Sequence, residues 1–370
     1  MAVRRAFGVV CAAALLTLTG ACQIDSKPAG NTARSSSALH PALPPGPSSS
    51  QTTSANPTAT CRLSEKLVPS CGVLWGVAVS PSTYPTLLDV QRKVGRTFDL
   101  IYHYQDIVGP IPNGTERQEV GAGQILHISL AARIYGSAPK AVTYAGIAAG
   151  NYDTDLRRQA EGIASLKVPV FVTFEQEANQ HRKLGVRGSA AQFRAAWRHV
   201  HQVYVDAGAT NAVWVWVMTG DPANLARAAT LWPGNDVVDW ISWNVYNHAG
   251  CQSGVVNPDE YATFAEQLLP FYRWVHMTGP SIGMDPTKPM MISEAGSVRY
   301  PGNPGKTAGW YTQIPSVLKR LPQIKAIALW DSHSSPACDY RFQLDPPVLR
   351  TVTDVGHNSY LDAGTPPPAR

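Results

Sequence analysis

The sequence predicts an α/β protein built as one (β/α)8 TIM barrel. Apolar segments and helical patterns alternate from Leu74 onward. Most of the apolar segments are continuous, as expected for parallel strands that are covered on both faces. Eight of them fit into roughly 300 residues, a typical size for such a barrel. An open doubly wound sheet is the alternative, but no Gly-rich phosphate-binding loop follows the first segment.

The individual elements follow from these patterns. Ser189 and Gln192 have the spacing of a capping box, apolar residues then recur at helical intervals, and Gly208 ends the helix. A second amphipathic helix is predicted over 155–166. The eight predicted strands span residues 74–79, 100–104, 124–130, 169–174, 211–217, 237–243, 289–293 and 324–329.

Composition narrows the classes of function. The chain has 370 residues, of which 44% are hydrophobic, and its formal charge of +5 is not concentrated beyond the N-terminus. Nucleic acid is therefore not an expected partner. The ten Trp and fourteen Tyr residues suit a sugar-binding protein, because aromatic faces hold sugar rings, although most buried Trp residues simply pack in cores.

The N-terminus has the pattern of an export signal. Arg4 and Arg5 precede an apolar stretch at 6–21 that is short for a membrane span. Small residues before Cys22 resemble a bacterial lipoprotein cleavage site. Residues 1–22 are therefore predicted to be a signal peptide of the lipoprotein type, with Cys22 lipidated, and ordinary secretion is the alternative.

Two further regions follow the predicted signal peptide. Residues 23–60 are rich in Ser, Thr and Pro, a composition that predicts a disordered linker. Residues 61–365 are predicted to form the barrel domain. We expect an exported protein, extracellular or at the cell envelope, that meets a membrane only through the lipid anchor.

Four Cys residues remain once Cys11 and Cys22 are assigned to the signal peptide. An even number of Cys residues in an exported chain predicts disulfides. Of the three possible pairings we favour Cys61–Cys71 with Cys251–Cys338, and free buried thiols are the alternative. The spacings do not resemble a zinc site, so no metal is expected.

Polar residues follow several of the predicted strands. In a (β/α)8 barrel, the carboxyl ends of the strands form the active face. Glu177 follows the fourth predicted strand and Glu294 ends the seventh, so these two carboxylates can meet across the barrel mouth. Asn244 and Tyr246 follow the sixth strand, and Trp330 follows the eighth.

Two carboxylates that face each other across a glycosidic bond are the catalytic groups of a retaining glycosidase. One of them protonates the leaving oxygen, and the other attacks the anomeric carbon. Glu175 complicates the assignment, since an extended strand would place it on the same side as Glu177. It is a rival acid, a partner of the acid, or a salt-bridge residue that faces an Arg.

The same residues resemble glycoside hydrolase family 26, a family of retaining (β/α)8 glycosidases. The segment QEAN at 176–179 is similar to the family's acid/base motif His-Glu-Met-Asn, and KPMMISEAG at 288–296 is similar to its nucleophile segment. The similarity extends over roughly residues 72–330. It implies that Glu177, rather than Glu175, is the general acid and then the general base. It also implies that Glu294 is the nucleophile, whose charge would keep Glu177 protonated.

The resemblance also implies substrate-binding roles. Tyr246 is expected to hydrogen-bond the nucleophile, and Trp330 is expected to stack beneath the sugar at the cleavage point. Gln176 and Asn179 are expected to position substrate hydroxyls or to orient the acid. Asn244 occupies a place where the family often has Asp.

Residues of the second strand and departures from the family pattern complete the prediction. Tyr104, with His103 beside it, is expected to line the distal subsites. Gln176 replaces the family's usual His, and the segment 180–184 replaces a Trp-rich one. Within that segment, Arg182 and Lys183 would favour an acidic glycan if they faced the cleft.

The leading hypothesis is an exported, monomeric, endo-acting retaining β-glycosidase that needs no cofactor. Its polysaccharide substrate would be β-mannan or a related β-glycan, such as mixed-linkage glucan or β-1,3-xylan. The alternative from another class is a non-catalytic glycan-binding lipoprotein on a hydrolase-derived barrel. A binding module has no need of two opposed carboxylates, which favours the enzyme.

Overall fold

Eight parallel strands close into a barrel in the computed structural model, which describes residues 61–136, 140–300 and 302–363. Each strand pairs with the next one along the chain, and the last pairs with the first. The (β/α)8 prediction is confirmed. The predicted signal peptide with Cys22 and the predicted linker at 23–60 lie outside the described residues. The strands are β1 Leu74–Val79, β2 Leu100–Asp106, β3 Ile125–Ala131, β4 Val170–Phe174, β5 Ala212–Thr219, β6 Trp240–Asn247, β7 Met290–Ser297 and β8 Ile324–Asp331.

Helices surround the barrel and connect consecutive strands. The capping box predicted at Ser189 is present, since its side chain accepts from the backbone of Gln192, and the helix that it starts ends before Gly208. The helices are α1 Tyr84–Val94, α2 Gly114–Gly121, α3 Tyr144–Ala148, α4 Asp153–Ser165, α5 His181–Arg187, α6 Ala190–Asp206, α7 Leu225–Thr230, α8 Phe264–Met277, α9 Pro304–Thr312, α10 Ile314–Leu318 and α11 Pro346–Gly356.

Two apolar layers explain why the strands are apolar throughout. Side chains that point outward pack against the helices, and a smaller set that includes Phe171 and Trp240 fills the barrel interior. The chain before β1 closes one end of this interior, where Leu67 packs and the indole of Trp240 donates to the carbonyl of Lys66. Because both faces of the strands are covered, continuous apolar runs are required.

Several strands extend beyond their predicted ends. The pairing of β6 with β7 includes Asn244, Tyr246 and Glu294, so these polar residues belong to the strands rather than to the loops that follow. Polar side chains are tolerated there because they point into a cleft at the barrel mouth. A short hairpin of Arg133–Ile134 with Lys140–Ala141 follows β3 and was not predicted.

Cys251 is bonded to Cys338 and Cys61 to Cys71, which is the pairing that the sequence favoured. The first bond joins the segment after β6 to the segment after β8. Within the described part of the chain, no helix is both long enough and apolar enough to cross a bilayer.

Candidate active site

A cleft of about 1040 Å³ lies at the carboxyl ends of the barrel strands. Glu177 and Glu294 both line it, together with Gln176, Asn244 and Tyr246. These residues come from β4, β6 and β7 or from the turns that follow them. The barrel therefore brings together two carboxylates that are 117 residues apart in the sequence.

The chain turns sharply as it leaves β4. Glu175 and Glu177 both have φ of 54°, in the left-handed region that residues other than glycine rarely adopt. The backbone amide of Glu175 still bonds to Leu130 in β3, and that of Glu177 bonds to Val217 in β5, at 2.7 and 2.8 Å. The two glutamates therefore do not follow the alternation of an extended strand. Such strained backbone is concentrated at functional sites.

Glu175 is fully buried and does not line the cleft. Its carboxylate accepts from the backbone of Ala132, forms an ion pair with Arg187, and lies 3.1 Å from the ammonium of Lys183. Of the three roles that the sequence left open, the structure supports the salt-bridge residue. Its two cationic partners, Lys183 and Arg187, lie on α5, so Glu175 fixes that helix to the barrel.

Glu177 accepts hydrogen bonds from two carboxamides. Nδ2 of Asn244 donates to Oε1 at 3.0 Å, and the side chain of Gln180 donates to Oε2. Asn244 thus orients Glu177, while its own Oδ1 is buried with no partner among the described residues.

Asn179 does not line the cleft, so of its two expected roles the structure favours orienting the acid over a contact with substrate hydroxyls. It is fully buried, and its amide forms two hydrogen bonds with the backbone of Thr219 in β5, of 3.1 and 2.9 Å. Both polar atoms of the side chain are used in this way. We therefore replace the expected substrate contact by a positioning role, in which Asn179 fixes the turn that carries Glu177.

Glu294 lies where β7 departs from regular pairing. The register of β7 shifts against β6 and against β8 near this residue. The residue is 8% exposed. It accepts a hydrogen bond from Tyr104 at 2.8 Å on one oxygen and from Tyr246 at 2.6 Å on the other. Two phenols from β2 and β6 thus fix both of its oxygens.

The pKa of Glu294 is raised to about 7. Burial is the main cause, and the charge of Glu177 is the second, whereas the hydrogen bonds from Tyr246 and Tyr104 act in the opposite direction. Carboxyl groups that interact this strongly titrate as a pair. Glu294 therefore gains or loses its proton around neutral pH.

Two other predicted residues lie in the cleft as well. Gln176 lines it, and Oε1 of its amide accepts from the hydroxyl of Ser129 at 2.5 Å. Trp330 is half-buried in the wall, and its ring meets the ring of Tyr246 edge-on, with centroids 5.8 Å apart. A tryptophan placed in this way can form a face for a sugar ring.

His103 does not line the cleft. Its Nε2 lies 2.5 Å from Oε2 of Glu119 on α2, and both side chains are buried. The expectation of a distal subsite at His103 is therefore wrong. Tyr104, the next residue, points the other way and reaches Glu294, because side chains alternate along β2.

Sequence reasoning missed several residues of the cleft, among them Gln180, His248 and Tyr340. Gln180, which contacts Glu177, lies three residues beyond it in a segment that was considered only for its charges. His248 lies one residue beyond the end of β6, so a longer search after each strand would have found it. Tyr340 follows β8 by nine residues, and no sequence signal marks it.

The charges that line the cleft show whether Arg182 and Lys183 favour an acidic glycan. Lys183 turns away, and its ammonium bonds to Glu175 and to the backbone of Gln176. Among the described residues that line the cleft, Arg182 is the one Lys or Arg side chain, against three carboxylates of Glu177, Asp221 and Glu294. A cleft with this balance does not favour an acidic glycan.

No group of three or more His, Cys, Asp or Glu residues that could hold a metal ion occurs in the part of the chain that the structure describes. The polar groups of the cleft include carboxylates, carboxamides and phenols. These groups can transfer protons, attack an electrophilic carbon and hydrogen-bond hydroxyl groups.

Comparison with known proteins gives one sequence relative and several structural ones. No protein-family model matches the chain. The chain is 26% identical over 249 residues to a β-1,3-xylanase, TXYA, from Vibrio sp.. The match covers 64% of this chain but only 47% of that protein, so the chain spans about half of the length of this relative.

Solved structures with the same fold include family 26 glycoside hydrolases. The family 26 domain of an endo-β-mannanase/endo-β-glucanase from Prevotella bryantii superposes with a TM-score of 0.54 at 12% identity, over 80% of this chain and 92% of that one. A modular endo-β-1,4-mannanase from Cellulomonas fimi gives 0.54 at 16% identity, over 81% and 76%. A family 26 β-mannanase from Bacteroides ovatus gives 0.54 at 14% identity, over 79% and 90%.

These likenesses agree with the motifs in the sequence. The identities between this chain and the solved structures are low, so the likeness concerns the fold rather than the substrate. The barrel, its strand order and the cleft at its mouth are shared features of an architecture. The resemblance to glycoside hydrolase family 26 is thus confirmed at the level of the fold: this chain has the (β/α)8 barrel of that family's catalytic domains.

Proposed function

We propose that this protein is a retaining, endo-acting β-glycosidase that hydrolyses a polysaccharide. One observation carries the proposal. Glu177 and Glu294 line the same cleft, and each has both carboxylate oxygens held by hydrogen-bond donors. Side chains held in this way are preorganised for chemistry on a bound substrate.

The first step forms a covalent sugar–protein ester. A carboxylate oxygen of Glu294 attacks the anomeric carbon, and the bond from that carbon to the glycosidic oxygen breaks. The carboxylic acid of Glu177 gives its proton to the leaving oxygen. Tyr104 and Tyr246 hold the attacking carboxylate in the cleft, and their donated hydrogen bonds favour its ionised form.

The second step releases the sugar. A water molecule attacks the anomeric carbon of the ester, and the carboxylate of Glu177 takes a proton from that water. The carboxylate of Glu294 leaves, which restores the starting charge of the pair. Because two displacements occur at the same carbon, the configuration of the sugar is retained.

The lining of the cleft supports a neutral, hydroxyl-rich substrate. Carboxamides of Gln176, Gln180 and Asn244 face the cleft, and such groups both donate to and accept from hydroxyls. Trp330 provides the apolar face that a sugar ring needs. The names of the relatives give the candidates: β-1,3-xylan, β-mannan and β-glucan.

We also propose that the protein acts outside the cytoplasm, either secreted or held by a lipid at Cys22. The predicted signal peptide and the two disulfides support export. Metabolic labelling with a fatty-acid analogue tests the anchor, since label in the natural protein should be lost in Cys22→Ser. Secretion of unlabelled protein would support export and would contradict the lipid anchor at Cys22.

A panel of polysaccharides tests the enzymatic function. Release of reducing ends should be measured from β-1,3-xylan, β-mannan, mixed-linkage β-glucan and arabinogalactan. We expect cleavage of at least one, and a loss of about 10³-fold or more in Glu177→Ala and Glu294→Ala, since general acid–base catalysis alone contributes about 10²–10⁴-fold. Glu161→Ala, which changes an exposed glutamate on α4, is the matched control and should keep full activity.

The panel also separates the enzyme from a binding protein. A polymer that retains the protein in a pull-down but releases no reducing ends would favour the non-catalytic alternative. Full activity in both glutamate variants would remove the two residues from the mechanism. Folding of each variant is checked by circular dichroism, so that loss of structure is not mistaken for loss of chemistry.

A further inference from the structure

His248 lies in the wall of the cleft and takes no part in the mechanism described above. It follows β6 directly, is half-buried, and lines the cleft beside Tyr246. The two rings are stacked, with centroids 5.2 Å apart and an interplanar angle of 23°. Since Tyr246 contacts Glu294, the imidazole lies one side chain away from the proposed nucleophile.

One ring nitrogen of His248 has a fixed partner. Nδ1 lies 2.6 Å from the hydroxyl oxygen of Tyr340. The same hydroxyl lies 3.4 Å from Sγ of Cys251, which is bonded to Cys338 and therefore carries no hydrogen. Both neighbours of the hydroxyl can thus act as acceptors, and the imidazole nitrogen is the stronger one.

The direction of this hydrogen bond decides the tautomer of His248. The hydroxyl can donate to only one of its two neighbours, and the imidazole nitrogen at 2.6 Å is both nearer and a stronger acceptor than the disulfide sulfur at 3.4 Å. Tyr340 therefore donates to Nδ1. A neutral imidazole that accepts on Nδ1 carries its hydrogen on Nε2.

His248 is neutral at physiological pH. Burial lowers the pKa of its imidazole to about 4, and the charge of Asp221 only partly opposes this effect. Nε2 has no partner among the described residues and is not one of their fully buried unpaired atoms. The ring therefore presents one N–H group that is free to meet a ligand in the cleft.

We propose that His248 is a specificity-determining residue, whose Nε2–H donates a hydrogen bond to a hydroxyl or ring oxygen of the glycan. The proposal rests on the proposed function, because it assigns a sugar as the occupant of the same cleft. The disulfide takes part indirectly. It holds the segment after β8 against the segment after β6, and so keeps the Tyr340 hydroxyl on Nδ1.

Kinetics of matched variants test the contact. His248→Phe keeps a flat ring against Tyr246 and removes the donor, and we expect kcat/KM to fall about 3- to 10-fold, the usual effect of one lost hydrogen bond. His248→Gln places an amide N–H near the position of Nε2 and should recover most of the loss. His276→Phe is the control, since His276 also contacts a tyrosine ring, that of Tyr272, but is exposed on α8.

Nitrogen-15 NMR of the imidazole provides a second readout that needs no substrate. The spectrum of the natural protein at neutral pH should show hydrogen on Nε2 and a bare Nδ1. In Tyr340→Phe the fixed acceptor role of Nδ1 is lost, and the two tautomers should mix. Hydrogen on Nδ1 in the natural protein would overturn the inference, whatever the protein hydrolyses.

The outcomes separate this inference from the proposed function. If Glu177→Ala and Glu294→Ala hydrolyse glycans as fast as the natural protein, the proposed function fails. If those two variants are inactive while His248→Phe keeps an unchanged kcat/KM on every glycan that is cleaved, only the inference about His248 fails. A loss in His248→Phe that His248→Gln restores supports it.

Discussion

The hydroxyl of Tyr246 donates a hydrogen bond of 2.6 Å to Oε2 of Glu294. The donor comes from β6 and the acceptor from β7, two adjacent strands of the barrel. This bond opposes the effects of burial and of Glu177 on the pKa of Glu294. The ionised state of the proposed nucleophile thus depends on a phenol supplied by the neighbouring strand.

Removal of this hydrogen bond should shift the pH profile of hydrolysis. Glu294 must be ionised to attack, so the rate is lost as the pH falls through its pKa. Tyr246→Phe removes a group that lowers this pKa, and the acidic limb of kcat/KM should move to higher pH by about one unit or more, since a hydrogen bond to a charged group contributes about 1.5–3 kcal/mol.

The control for this prediction is Tyr272→Phe. Tyr272 is half-buried on α8 and makes a hydrogen bond of 3.5 Å to Gln323, outside the cleft. The pH profile of Tyr272→Phe should match that of the natural protein. A profile of Tyr246→Phe that is lower at every pH but not displaced would show that the phenol does not act through the ionisation of Glu294.

Azide should distinguish the two glutamates. In Glu294→Ala the nucleophile is missing, so azide can attack the anomeric carbon directly, and the glycosyl azide should have inverted configuration. In Glu177→Ala the nucleophile is present, and azide would attack the covalent intermediate with overall retention. The measurement is NMR of the azide products from an aryl glycoside with a good leaving group.

The opposite pattern of products would exchange the two roles. Products of inverted configuration from Glu177→Ala would make Glu177 the attacking group. Products from neither variant, in proteins that keep their fold, would contradict double displacement. Glu161→Ala again serves as the control and should form the same products as the natural protein.

The barrel and its paired carboxylates could be predicted because their signals are local. Each strand is a continuous apolar run, and the strand-end rule directs attention to the residues that follow it. Glu177 and Glu294 were found in this way. The strand ends themselves were placed too early for β6 and β7, because Asn244 and Glu294 are polar and yet belong to the sheet.

Interactions between distant residues could not be predicted in the same way. The Glu175 side chain points away from the cleft because its backbone has a positive φ and because Arg187 pairs with it. Arg187 lies on a short helix with no buried residues, so no apolar pattern in the sequence marks that helix. The contact between His248 and Tyr340 joins residues 92 positions apart. Neither contact produces a pattern that can be recognised in a short stretch of the sequence.

The buried pair of Glu175 and Arg187 should stabilise the native state as a unit. Side-chain exposure is 0% for Glu175 and 11% for Arg187, so solvent does little to screen the pair. Arg187→Met leaves a carboxylate that only Lys183 and a backbone amide contact, and we expect a loss of about 3 kcal/mol in the free energy of unfolding, at the low end for a broken buried pair. Urea unfolding measures this change.

Two further variants make that test specific. The double variant of Glu175→Gln with Arg187→Met should recover part of the lost stability, because the fully buried carboxylate is then gone and Lys183, which is 14% exposed, still donates to the backbone carbonyl of Gln176. Arg92→Met breaks an exposed pair with Asp89 and should leave the free energy of unfolding nearly unchanged. If Arg187→Met costs no more than Arg92→Met, the buried pair does not hold α5 in the way proposed.

Asp331 should make the stability of the protein fall as the pH rises. It is the last residue of β8 and is fully buried, and burial raises its pKa to about 7, although Gln343 donates to it and opposes the shift. The unfolded chain loses this proton at a pH near 4, whereas the native protein keeps it until about pH 7. The contribution is therefore fully present below about pH 4 and is lost between pH 4 and 7.

Asp331→Asn should remove this dependence, because the amide cannot ionise and its oxygen can still accept from Gln343. The free energy of unfolding of the variant, relative to the natural protein, should rise by about 1–4 kcal/mol between pH 4 and 8. Using this difference cancels the contributions of Asp99 and Glu294, whose raised pKa values act in the same direction. A constant difference for Asp331→Asn would mean that Asp331 is ionised in the native protein across this range.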